Sequence, residues 1–118
     1  MLLTNLEVVP GYRVDKHLGL VQGSSVRAKH VGRDIMASLK NMVGGELKGY
    51  TELLRESRDE AINRMVEEAR SVGANAVLNI RLGTSSITAG AAEVMAYGTA
   101  VYLVDDTDAA SVEAVAGA

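Results

Sequence analysis

A chain of 118 residues and 12.4 kDa fits a single domain and excludes a separate catalytic lobe. With 47% hydrophobic and 23% charged residues, its composition is that of a folded globular protein, not a disordered one. Twelve Lys and Arg against fifteen Asp and Glu give a net charge of -3, so no overall positive field draws it to nucleic acid or an anionic membrane. The absence of cysteine excludes disulfides, thiolate zinc sites, iron-sulfur clusters and a cysteine nucleophile.

In chain order, Met1 to Pro10 has no basic stretch before its short apolar run, which Glu7 interrupts, and so makes a poor signal peptide. No segment reaches the roughly 20 apolar residues of a membrane helix. Together with the lack of cysteine, this predicts a soluble cytoplasmic protein. Residues 8–22 predict a first strand, with Tyr12, Val14, Leu18 and Leu20 on one parity and Arg13, Asp15 and His17 on the other. Lys16 breaks the apolar row, Pro10-Gly11 marks a bend or strand edge, and Gly23-Ser24-Ser25 predicts a turn.

Ile35, Met36, Leu39, Met42 and Val43 recur at helical spacing and predict a short helix over 33–43, ended by Gly44-Gly45. A longer helix is expected over 46–72, with one stripe formed by Tyr50, Leu53, Leu54, Ala61, Ile62, Met65, Ala69 and Val72. Gly73 is placed to close it in the left-handed conformation. Such a helix is roughly 40 Å long and calls for strands of about 12 residues beneath it. Two are expected, over 76–88 and 92–104, paired antiparallel through a hairpin at Ala89-Gly90-Ala91. Residues 105–118 turn acidic and Ala-rich and are expected to be a flexible tail, leaving 1–104 as one α+β domain.

The last predicted strand is apolar on both parities. One carries Ala92, Val94, Ala96, Gly98, Ala100, Tyr102 and Val104; the other carries Glu93, Met95, Tyr97, Thr99, Val101 and Leu103. A strand of this kind is normally covered on both sides. The long helix covers one face, and a helix over 33–43 spans only about 16 Å. Met95, Val101 and Leu103 are therefore expected to be covered by another subunit. The alternative is a monomer with its two helices on opposite faces.

Pro10-Gly11-Tyr12, Gly19-Leu20-Val21-Gln22-Gly23, Arg33-Asp34, Gly44-Gly45 followed by Tyr50, Ala61, Ala69, Gly73-Ala74-Asn75-Ala76-Val77 and Gly98-Thr99-Ala100-Val101 carry a resemblance in their order and spacing. Over about residues 3–104 the chain resembles the YbjQ-like family, small bacterial and archaeal proteins whose domain bears a heavy-metal-binding label. The resemblance implies a compact α+β subunit with an antiparallel sheet and a helix on one side, assembled as a ring-like homopentamer; the residues themselves predict one long and one short helix packed on the sheet. The chain departs from the label in its donors: soft metals prefer thiolate or several imidazoles, and only His17 and His30 are present.

Four groups of residues are candidates for chemistry. Asp15 and His17 share a strand parity, and symmetry could repeat them around an axis as metal ligands. Their plainer reading, like that of His30, is a solvated side chain. Arg27, Lys29, His30 and Arg33 cluster at the predicted start of the short helix, where an anion is favoured, and Tyr50 with the nearby glycines offers close backbone approach. No nucleotide-binding fingerprint is present, and no interleaved aromatics offer a nucleic-acid platform. The acids and arginines of the long helix, with Glu60 and Arg64 at i, i+4, make a solvated face. Glu93 is expected in water at a strand end or paired with Arg81 across the hairpin, and no serine has a catalytic context.

These observations predict a non-enzymatic homo-oligomer, pentameric on the resemblance, that binds a small ligand or a partner protein at a subunit junction or central opening. They predict no cofactor and neither nucleic acid nor membrane as a partner. The alternative is a metal-binding protein with Asp15 and His17 contributed by several subunits.

Overall fold

Three long strands and one long helix make up most of what the computed structural model describes, which is residues 1–27, 48–88 and 91–106. In chain order these elements are β1 (Leu2–Leu3), β2 (Tyr12–Arg27), α1 (Lys48–Ser71), β3 (Ala76–Thr88) and β4 (Ala91–Asp105). The four strands form one sheet in the order β1-β3-β4-β2. Central β4 runs antiparallel to both neighbours, whereas β1 lies parallel to β3, so the sheet is mixed and not wholly antiparallel as expected. A two-residue strand is too short to show a period. It exists because Leu2 donates to the Asn75 carbonyl at 3.0 Å and Thr4 to that of Val77 at 3.1 Å.

The expected helix and hairpin strands lie within about two residues of their predicted limits. Ala61, Met65 and Ala69 of the predicted stripe are buried, joined by Ser57 and Val66, while Val72 lies past the helix end and is exposed. Gly73, at φ +84°, closes α1: it donates to Arg70 at 3.0 Å, and Ala74 donates back to Ala69 at 3.1 Å.

β2 differs more. It spans 12–27 instead of 8–22, and Gly23-Ser24-Ser25 is not a turn but mid-strand, paired with Ala96, Met95 and Val94. The small residues serve packing: a Cβ on Gly23 would collide with the Ala61 carbonyl and the Met65 amide of α1. Bulges between Val14 and Lys16 and between His17 and Gly19 shift the alternation. Beyond them Val21 and Ser25 face the core and Leu20 is 70% exposed, so the predicted row of Tyr12, Val14, Leu18 and Leu20 keeps only Leu18 packed against the core.

Two cores result. On the α1 side of the sheet, Val21, Ala61, Met65, Ala69, Val77, Val94, Ala96 and Ala100 form the larger. On the other side, Ala76, Leu78, Val101 and Leu103 form a smaller one, against which Leu2 and Val9 pack. The aperiodic segment 4–11 acts as a strap over it. Asn79 donates to the Leu6 carbonyl at 3.0 Å, Ile80 to Thr4 at 3.1 Å, and Asp106 to Gly11 at 3.0 Å. Val101 and Leu103, at 2% and 7% exposure, are thus enclosed by residues of their own protomer. The expectation that they need a second subunit is corrected: the strap is the covering material that periodicity alone did not reveal.

The predicted helix 33–43, the hairpin residues Ala89-Gly90 and the tail beyond Asp106 lie outside the described residues. Among the described residues, no helix is long and apolar enough to cross a membrane.

Candidate functional site

The strap covers only one end of the sheet face opposite α1. Towards the hairpin, β4 presents Glu93, Met95, Tyr97 and Thr99 on that face. They are paired with Val26, Ser24, Gln22 and Leu20 of β2 on one side, and three of them with Ser85, Gly83 and Arg81 of β3 on the other. Leu20 and Val26 are 70% and 55% exposed, Tyr97 is exposed, and Met95 is half-buried. Of the three residues expected at a subunit boundary, only Met95 therefore lies on open surface. Among the described residues both long edges of this region lack a further strand: β2 has β4 on one side and none on the other, and β1 reaches only the first residues of β3.

Asp15 and His17 are both exposed on β2. Asp15 is the extra residue of a bulge and faces Arg13 at 3.8 Å, while His17 sits opposite Val101. No contact brings a third ligand to them: among the described residues no three His, Cys, Asp or Glu side chains are grouped to hold a metal. Among the described residues, Asp15 and His17 thus form no metal-ligand set. The proposed anion site falls largely outside the described residues. Lys29, His30 and Arg33 are not described, and Arg27 and Tyr50 are placed only by their backbone, at the end of β2 and in the first turn of α1.

A polar network that sequence reasoning missed joins β2 to α1. The buried Ser25 hydroxyl donates to Glu60 Oε2 at 3.1 Å, Glu60 pairs with Arg64, and Arg64 donates to the Ser24 carbonyl. The i, i+4 spacing of Glu60 and Arg64 was its one visible sign; the serines, expected in a turn, gave none. This network fastens helix to strand. It holds no histidine to make Ser25 a nucleophile. Glu93 is not paired with Arg81: Ser85 Oγ lies 3.4 Å from its carboxylate, while Arg81 donates to the carbonyls of Asn5 and Ile80.

Two open grooves flank these elements. One, of about 500 Å³, runs along the solvent side of α1 between Glu56, Asp59, Glu60, Asn63 and Glu67. The other, of about 610 Å³, lies beside the open edge of β3, with Leu3, Ile62, Ile80 and Leu82 as apolar walls and Arg81 at its rim. Asn79, the one described residue other than glycine with positive φ, at 57°, lies in the adjoining bulge with its Oδ1 buried and unpaired.

A family model described as "Putative heavy-metal-binding" matches residues 1–104. A UPF0145 protein of Hahella chejuensis is 64% identical over 103 residues, covering 87% of this chain and 99% of that protein. A UPF0145 protein of Archaeoglobus fulgidus is 57% identical over 103 residues, covering 87% and 95%. The fold is similar to the crystal structure of a Pediococcus pentosaceus protein of unknown function from the DUF74 family, at a TM-score of 0.61 and 16% identity over 88% of this chain and 98% of that one. Matched from Met1 through Val104 and more than half identical to relatives from both bacteria and archaea, the chain belongs to the YbjQ-like, UPF0145 family.

Proposed function

We propose that this protein is a non-enzymatic, cytoplasmic homo-oligomeric module whose subunits meet through the open part of the sheet and which takes a small ligand or partner protein at the subunit junctions. The observation that carries this reading is β2, a 16-residue strand that among the described residues has a neighbouring strand on one side only. A long unpaired edge is a template for another strand, and proteins that remain monomeric blunt it. Here Leu20 and Val26 lie exposed along it, next to Met95 and Tyr97. Burying an aliphatic side chain contributes on the order of 1.5 to 3 kcal/mol, which favours association through this patch. The ring of five is taken from the family resemblance.

Light scattering coupled to size-exclusion chromatography tests the assembly. A particle of about 62 kDa, five times the 12.4 kDa chain, is expected. Replacing both Leu20 and Val26 by Lys, which leaves the two cores untouched, is expected to reduce that mass. A 12.4 kDa particle for the unaltered chain at micromolar concentration would overturn the reading.

A further inference from the structure

The family description names heavy metals, and the donors of this chain argue against it. Soft cations such as Cd²⁺, Hg²⁺ and Cu⁺ select sulfur, and zinc is held by three or four Cys, His or carboxylate ligands. The full sequence supplies no cysteine, two histidines and five methionines. Met65 is fully buried in the larger core and Met95 is half-buried in the sheet. Met36, Met42 and His30 lie outside the described residues.

The exposed soft donors among the described residues are therefore His17 and Met1. They stand towards opposite edges of the sheet. His17 pairs with Val101, Val101 with Ala76, and Ala76 with Leu2, so three strand spacings separate His17 from the β1 edge that carries Met1. At about 4.8 Å per spacing this is roughly 14 Å, whereas ligand atoms sit about 2.0 to 2.3 Å from zinc. Among the described residues, no three carboxylate or histidine side chains are grouped to complete a site either. Asp15 faces Arg13, Glu60 is held by Arg64 and Ser25, and Glu67 by Arg70 at 2.7 Å. At each of the three a guanidinium competes with an incoming cation.

We infer that this chain departs from the heavy-metal-binding description of its family: its full sequence has two histidines and no cysteine, and among the described residues the exposed soft donors stand too far apart to share a soft or borderline metal ion. Its place in the family rests on the sequence match over residues 1–104. The inference is independent of the assembly proposed above, because light scattering on the same samples reads that separately.

The test is equilibrium dialysis of the full chain against micromolar Zn²⁺, Cd²⁺, Cu²⁺ or Ni²⁺, with bound metal counted by elemental mass spectrometry. The variants His17→Ala and His30→Ala are run alongside, their folding checked by circular dichroism. The expected result is metal content equal to the buffer blank in all three proteins and an unchanged thermal midpoint. Stoichiometric uptake, at one ion per chain or one per oligomer, overturns the inference. Its loss in either variant would then locate the site on that histidine, and its retention in both would place the site elsewhere.

Discussion

The two sides of the sheet are kept dry by different means. On one, α1 lays a regular stripe against Val21, Val77 and the small residues of β4, with Ala61, Met65 and Ala69 fully buried. On the other, an irregular strap closes over four buried residues and is held by backbone hydrogen bonds to β3 and the end of β4. The helix brings its own hydrogen bonds and needs only an apolar stripe. The strap has no internal ladder, so its peptide groups must find partners on the sheet it covers. The contrast shows why covering material can be undercounted in a sequence: a segment without a period can still shelter a core.

Truncation at each core measures this contrast. Met65→Ala removes the largest fully buried side chain among the described residues and is expected to cost about 4 kcal/mol in urea denaturation. Leu103→Ala on the strapped side should cost less, about 2.5 kcal/mol, because the strap can settle into part of the space. Equal losses would show the strap to be as rigid as the helix. Asn75 links the two regions, since its Nδ2 donates to the Leu103 carbonyl at 2.9 Å and its Oδ1 accepts from the Leu103 amide at 2.7 Å. Asn75→Ala leaves both groups unpaired and should cost about 2 kcal/mol by the same assay. Gly73→Ala forces a Cβ into a left-handed turn and should lower stability by about 1 kcal/mol, visible as a reduced thermal midpoint. The exposed Arg70 and Glu67 pair is the floor of the series: Arg70→Ala should change stability by less than about 0.5 kcal/mol.

The elements that could be read in the sequence are those with a period. The stripe of α1, its glycine stop, and the hairpin strands β3 and β4 follow from local spacing and turn chemistry. β2 was legible as a strand but not in its facing. Two bulges shift its alternation, and a bulge depends on how a strand meets its neighbour. Gly23-Ser24-Ser25 has turn composition, yet the close approach of α1 requires small side chains at that point, and this cannot be known until the helix is placed. The candidate site divides in the same way. The two-faced character of β4 is visible, and Met95 lies on the open face, but nothing local marks Leu2 and Val9 as the cover of Val101 and Leu103. Asp15 and His17 share a sequence parity, but a bulge and Arg13 separate that pattern from a ligand set.

By itself, the sequence determined the helix, its end, the hairpin strands and the poverty of metal donors, because each follows from residue type or from spacing along a few turns of chain. Tertiary structure alone decided which apolar residues are dry. Burial depends on what lies across the sheet, and the strap, the bulged edge strand and the serine-to-helix network all join residues that are distant in the chain.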